Sequence, residues 1–300
     1  MIKPECIWSR RMFRAFLVFA LAATAPACAQ KTSNEAAAND PCQAGEDSLT
    51  AGDAAEAIVQ FEACLETAAL EPGEDAIIHT RLGGAYLYEQ RFEEALQAFN
   101  IAYAIAETQG VEFDNSYVRR NRGIARLATE DIDGALSDLE AAVADLPDDI
   151  MTHLNLGRAY SASGREAEAV VAFETVTRLE PEWPGGWINL SASFLELGMR
   201  AQAIDHARRA VELEPESGFT LNALCWSLIV DEQFATALPL CDQAVEAEPD
   251  NGAIIHSRAA ALEGVGRMDE ARELYARAYE LAPDSETIES DYRRTRAGGE

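Results

Sequence analysis

LGRAYSASGREAEAVVAFETVTRLEP, residues 156–181, and LSASFLELGMRAQAIDHARRAVELEP, residues 190–215, lie 34 residues apart and read as two versions of one unit. In each, an alanine (Ala169 or Ala203) is followed four residues later by Phe173 or Ala207 and seven later by Val176 or Ala210. Steps of four and seven return to one face of an α-helix, so each unit presents a stripe of small and larger side chains to a neighbour. Twelve residues before the alanine lies a small residue, Gly157 or Ser191, and twelve after it a proline, Pro181 or Pro215. Proline lacks the N–H that a continuing helix needs, so it marks where the second helix stops.

The same pattern extends in both directions. Leading alanines fall at Ala57, Ala95, Ala135, Ala169, Ala203, Ala237 and Ala271, at intervals of 38, 40, 34, 34, 34 and 34. The preceding small column is Gly45, Gly83, Gly123, Gly157, Ser191, Cys225 and Ala259, and Pro147, Pro181, Pro215, Pro249 and Pro283 follow the last five copies. Facing small residues let two helix backbones approach closely while the bulky side chain fills the space beside them. One such hairpin leaves its other face bare, so stability comes from stacking copies. The two long intervals imply extra residues around Ala68 to Asp75 and Thr108 to Ser116, and Asp284 to Arg296 reads as a final polar capping helix.

Trp187-Ile188-Asn189-Leu190-Ser191-Ala192-Ser193-Phe194, with Ala203, Ala210 and Pro215, resembles the W-x2-L-G-x2-Y, A and P pattern of the tetratricopeptide repeat family, with Ser for Gly and Phe for Tyr. Leu156-Gly157-Arg158-Ala159-Tyr160 with Ala169, Phe173 and Pro181 carries the same likeness, as does Leu82-Gly83-Gly84-Ala85-Tyr86 with Ala95 and Phe99. The resemblance covers residues 38–285. It implies an all-α fold, a right-handed α-solenoid superhelix of about seven helical hairpins, with residues 286–300 as capping helix and tail. Copy one departs from the pattern at Pro41 and Ser48. Copy three places Arg119, Arg122 and Arg126 where apolar residues are usual, which puts its packing in question.

Composition narrows the partners. Just under half of the 300 residues are apolar (48%) and a quarter charged (25%), ordinary for a packed core, but the formal charge is −28. Phosphate-rich surfaces would be repelled, so nucleic acid is not an expected partner, and a protein or peptide is. Arg120, Arg122, Arg126 and Arg158 gather in copies three and four, which leaves an extended, mixed-charge peptide as plausible as a basic one.

Residues 1–29 read as an export signal: Arg10, Arg11 and Arg14 precede the apolar run Ala15 to Ala23, which is too short for a permanent membrane span. Ser9-Arg10-Arg11-Met12-Phe13 also looks like a twin-arginine motif. Ala27-Cys28-Ala29 fits cleavage after Ala29, and Ala25-Pro26-Ala27 fits cleavage that leaves Cys28 as an acylated N-terminus. Residues 30–37 would form a flexible leader. The expected location is the periplasm, as a free protein or a lipoprotein facing it, with no integral membrane span after processing. Removing the signal takes away Lys3, Arg10, Arg11 and Arg14 against one acid, Glu5, and so deepens the negative charge.

Four cysteines remain in the folded part. Cys225 and Cys241 occupy the small and bulky slots of one copy, which face each other, and Cys42 and Cys64 lie on the two helices of the first copy. In an exported protein both pairs are expected as disulfides, the alternative being four small buried apolar residues.

Catalytic chemistry is not evident. There is no metal-binding, nucleophile-elbow or phosphate-loop motif, and Gly264-Val265-Gly266 lacks the third glycine of a dinucleotide fingerprint. His79 and His153 fall in packing columns, and the carboxylates cluster at solvent faces and helix starts. No enzyme activity, cofactor, metal or catalytic residue is expected. In the family the first helices line the concave side and hold a peptide or partner helix. Asn121, Asn155 and Asn189, spaced 34 and 34, would form a row of amides there, each able to pair with N–H and C=O of a peptide. Around them the same face would offer Tyr117, Arg120, Arg158, Phe219, Asn222, Trp226 and His256. Trp226, one residue off the closest packing line, reads either as an exposed anchor or as a ring buried between copies. The family's clamp for a terminal carboxylate is not reproduced. The expected function is a binding scaffold of the cell envelope; the alternatives are an outer-membrane lipoprotein serving envelope assembly and, further off, an enzyme or ligand binder.

Overall fold

The computed structural model describes residues 40–111 and 115–297. The expected signal and leader, with Cys28, lie outside the described residues. Within them every regular element is a helix: α1 (Pro41–Ala51), α2 (Ala54–Thr67), α3 (Pro72–Tyr88), α4 (Phe92–Gln109), α5 (Ser116–Ala128), α6 (Ile132–Asp145), α7 (Ile150–Ala162), α8 (Glu166–Leu179), α9 (Pro184–Glu196), α10 (Arg200–Leu213), α11 (Gly218–Val230), α12 (Phe234–Ala247), α13 (Gly252–Gly264), α14 (Met268–Leu281) and α15 (Glu286–Ala297). They form seven successive hairpins, α1–α2 to α13–α14, and a last single helix, α15. Contacts divide the described residues into two compact units, one ending at Asn155 and one starting at Leu156. Each is a stack of hairpins in an all-α repeat fold.

The helices start and stop where local chemistry dictates. Asp53, Asn115, Asp131 and Asn251 accept hydrogen bonds from the free N–H groups of the first turns of α2, α5, α6 and α13. Inside each hairpin the chain reverses through one left-handed residue: Gly52, Gln90, Glu130, Gly164, Gly198, Glu232 and Gly266. These recur at the intervals of the leading alanines. Four are glycine, which adopts this backbone without strain, while Gln90, Glu130 and Glu232 bring a Cβ into it.

The long intervals are partly helical rather than loop. The first is absorbed by a short link before α3 and by its length, 17 residues, and the second by the 18-residue α4.

The small column faces the bulky one, 16 residues on. A Cβ added to Gly45 would lie 2.5 Å from the Phe61 ring, to Gly83 2.8 Å from Phe99, to Gly123 2.8 Å from Leu139, and to Gly157 2.5 Å from Phe173. The glycine is thus a seat for the ring itself, which differs from the expectation of two small residues facing each other. Phe61 and Phe99 are completely buried, each stabilising its hairpin by about 1.5–3 kcal/mol.

Cys225 and Cys241 occupy this same slot pair and are joined by a disulfide, Cα–Cα 5.5 Å. Cys42 and Cys64 are bridged across α1 and α2, Cα–Cα 4.9 Å. The second bridge replaces a ring-on-glycine contact; the first staples the copy that departs most from the pattern.

In copy three, polar packing takes the place of apolar packing. Asp138 on α6 is only 4% exposed. Arg122 binds it through two hydrogen bonds of 2.7 and 2.6 Å, and Arg126 Nη1 donates to it at 2.7 Å and to the Gly134 carbonyl at 3.1 Å. The Arg122 guanidinium also covers the Tyr103 ring at 3.7 Å, and Arg119 approaches Asp145 at 3.8 Å. A buried carboxylate with two cations is satisfied in both charge and hydrogen bonding, so these arginines pack rather than disrupt.

Candidate functional site

Helix α11, GFTLNALCWSLIV, is apolar around nearly its whole circumference. One face buries Leu221, Leu224, Cys225 and Leu228 in the core of the second unit. The opposite face leaves Phe219, Asn222, Ala223 and Trp226 half-buried, at steps of three and four that align them along the helix. They line an apolar pocket of about 80 Å³ with Ile188, Ala192 and Leu195 of α9, Ala253 and His256 of α13, and Thr287 and Ile288 of α15. Its walls are repeat-equivalent positions: Ile188, Asn222 and His256 are spaced by 34, as are Phe219, Ala253 and Thr287. Stacking first helices therefore makes the pocket, and α15 continues the series of first helices that line it.

The pocket's polar groups are few. Ser191 Oγ and Ser227 Oγ share a hydrogen bond of 2.9 Å beneath it. Among the described residues Asn222 Oδ1 is buried without a hydrogen-bond partner. His256 stands beside Trp226, ring centroids 5.9 Å apart, and is bonded through Nε2 to Asp291 at 2.8 Å. Asp291 leads to Arg294, which binds Glu263 twice, at 2.6 and 2.8 Å, and Glu263 accepts from Tyr275 at 2.8 Å. The His256 hydrogen bond, with help from Arg294, holds the Asp291 carboxyl below its usual range, and Arg294 does the same for Glu263. Burial first, and then the bond to Glu263, raises the Tyr275 hydroxyl. At the other edge burial and the nearby Glu166 raise the Glu196 carboxyl. The network ties α13, α14 and α15 together.

The expected site residues divide between the two units. Phe219, Asn222, Trp226 and His256 converge on the pocket. Trp226 is neither a free anchor nor enclosed: it is half-buried, its ring against His256. Asn189 in the same unit is 8% exposed, and its Nδ2 donates to the Gly185 carbonyl at 2.7 Å. Arg158 is drawn in among neighbours, where lost hydration lowers its guanidinium to about 10.

In the first unit Asn155 is 2% exposed and donates to Met151 O at 2.8 Å. Arg120 is equally buried, paired with Asp149 at 3.1 Å, donating to Asn121 Oδ1 at 3.0 Å and lying over the Tyr117 ring at 5.2 Å. Arg120, expected on the binding face, is thus buried with its charge paired to Asp149. The Nδ2 groups of Asn155 and Asn189 are directed into their own helices.

What sequence reasoning missed is the small-residue part of the lining, Ala192, Ala223 and Ala253, and the contribution of α15. The 34-residue spacing of these positions was the available signal. Among the described residues no three His, Cys, Asp or Glu side chains converge as a metal site requires, and no helix is long and apolar enough to cross a membrane.

Comparison with known proteins places this architecture. Family models described as tetratricopeptide repeat match residues 126–192 and 228–292 in one case and 42–109 in another. No curated protein matches the chain significantly. A tetratricopeptide repeat protein from Parabacteroides merdae is similar in structure, with TM-score 0.69 and 13% identity over 85% of this chain and 97% of that one. The C-terminal part of a repeat protein from Cytophaga hutchinsonii gives 0.55 and 14%, over 83% and 98%. A thermophilic repeat protein of Thermus thermophilus gives 0.54 and 23%, over 61% and 100%. At these identities the likeness concerns the fold. With family matches across most of the repeated region and the same hairpin stack in the structure, the chain belongs to the tetratricopeptide repeat family.

Proposed function

We propose that the protein is a non-enzymatic binding scaffold of the bacterial cell envelope, holding an extended peptide or a partner helix on the face formed by its first helices. The observation that carries this reading is the apolar pocket shared by α9, α11, α13 and α15. It offers shape and apolar surface, while its histidine is bonded to Asp291 and its serine to another serine. Two disulfides support an oxidising compartment, in keeping with the signal-like residues 1–29. The test is recovery of a native partner after cross-linking in the periplasm of the source bacterium, with wild type and Trp226→Ala compared. Loss of one specific protein in the variant supports the reading; identical recovery refutes it.

A second reading is an outer-membrane lipoprotein serving envelope assembly, favoured by Ala25-Pro26-Ala27 immediately before Cys28. Mass spectrometry of the mature N-terminus separates the two, since only the second has a diacylglycerol group on Cys28.

A further inference from the structure

The pocket marks a break in a series. At the second position of the first helices the copies carry Gly185, Phe219, Ala253 and Thr287, 34 residues apart. In α9 the ring of Trp183 lies on Gly185, in the space that a side chain there would take. In α11 Phe219 supplies a ring of its own. In α13 Ala253 supplies only a methyl group, and the position that holds Trp183 two copies earlier is Asn251, whose side chain caps its own helix. One ring is therefore missing beside Ala253, and the pocket opens there. At about 80 Å³ it has room for roughly six waters, or about the heavy atoms of one six-membered ring.

The polar side chains around this space are committed elsewhere. Ser227 donates to the Ala223 carbonyl at 2.8 Å, so the bond it shares with Ser191 uses the Ser191 hydrogen. Asn189 Nδ2 donates to the Gly185 carbonyl at 2.7 Å, and Asn222 Oδ1 is closed off within the wall. His256 Nε2 is bonded to Asp291, and Arg294 joins Asp291 to Glu263. A charged occupant would find these ionic groups already paired, and a peptide strand would bring N–H and C=O groups that these side chains do not meet. Trp226 and His256, by contrast, present ring surface to the pocket, and aromatic faces and edges attract a further ring.

We propose that this pocket is a binding site for a free, uncharged small molecule built on a single aromatic ring, which takes the place that the Trp183 and Phe219 rings hold in the two preceding copies. Such a ligand is held by the removal of its apolar surface from water and by ring contact, not by hydrogen bonds. The inference is separate from the scaffold reading, since a molecule of this size fills the pocket without covering the rest of the face.

Toluene titrated into the full disulfide-bonded protein, with the isoleucine methyl groups labelled for NMR, tests this. Ile188, Ile254 and Ile288 line the pocket, so their signals should shift and saturate, with a dissociation constant on the order of 1 mM, while isoleucines elsewhere stay unmoved. Benzoate and N-acetylphenylalaninamide add a charge or backbone amides to the same ring and should bind about tenfold more weakly or worse. Ala253→Phe gives copy seven the ring it lacks and should abolish the toluene shifts at an unchanged helical spectrum. Ala253→Leu, a smaller filling, should weaken binding about tenfold.

Absence of saturable shifts in wild type overturns the site, as does toluene binding to both Ala253 variants as tight as to wild type. Benzoate bound as tightly as toluene overturns the requirement for an uncharged ligand. N-acetylphenylalaninamide bound at least as tightly as toluene overturns the small-molecule assignment, because the occupant is then a peptide side chain. None of these results alters whether a periplasmic partner is recovered with wild type and lost with Trp226→Ala, so the scaffold reading stands or falls separately.

Discussion

The buried carboxylate of Asp138 offers the sharpest test of how copy three is held together. Asp138→Asn preserves shape but removes the charge that two guanidinium groups share. The side chains of Asp138, Arg122 and Arg126 are 6%, 15% and 22% exposed, with N–O separations of 2.6 and 2.7 Å. With charge centres about 4 Å apart and an effective dielectric near 20, each pair is worth roughly 4 kcal/mol before desolvation. Repulsion between the arginines and their ability to turn toward water reduce the loss, so we expect destabilisation of about 3 kcal/mol, in the range for breaking a buried pair. Hydrogen exchange of amides in α5 and α6 measures this locally, which matters because stacked repeats need not unfold as one unit. The triple variant Asp138→Leu, Arg122→Met, Arg126→Leu removes the charges together and should lie within about 1 kcal/mol of wild type. A loss below about 1 kcal/mol for Asp138→Asn, or a triple variant as unstable as the single, would show that the cluster does not hold the hairpin.

Other perturbations probe the repeat itself. Gly157→Ala puts a methyl group 2.5 Å from the Phe173 ring, so thermal unfolding should reveal a cost of about 1–3 kcal/mol, relieved by adding Phe173→Leu. Glu130→Gly and Glu232→Gly remove a Cβ from left-handed turns; each should raise stability by about 0.5 kcal/mol in urea melts, the net of relieved strain and added chain freedom. Asp291 and Glu263 titrate below their ordinary values in the folded protein, so their contribution is complete above about pH 5 and is lost as pH falls through about 4 and lower. Exchange protection of α15 should therefore drop on acidification below about pH 4 and change little between pH 5 and 7. In Asp291→Asn that drop should shrink.

The parts of the fold legible in the sequence are those fixed by spacing along a single helix pair. Ala169 and Phe173 share a face whatever else the chain does, and Pro181 stops the helix that follows from them. Less legible were relations that depend on the partner helix. Gly157 was readable as small but not as the seat of the Phe173 ring, because the 16-residue offset includes a reversal whose geometry spacing alone does not define. Arg122 and Arg126 looked misplaced for the same reason, since Asp138 answers them from the other helix. At the candidate site, Phe219, Asn222, Trp226 and His256 stood out as chemically distinctive side chains. Ala192, Ala223 and Ala253 did not, although their small side chains line the same pocket. The asparagines were readable as a periodic series, but the turn of Asn155 and Asn189 onto their own carbonyls is a rotamer choice on which spacing is silent.

Both disulfides join cysteines that are neighbours in the order of the sequence, Cys42 with Cys64 and Cys225 with Cys241. Four thiols allow three pairings, and this is the one in which neither covalent loop encloses or interlocks with the other. Were the chain exported and oxidised from its amino end, Cys64 would meet Cys42 as the only earlier partner of the four and be sealed there before Cys225 emerges to compete. On that route the repeat architecture would make order of emergence sufficient for correct pairing of these four thiols, without a step in which bridges are broken and exchanged.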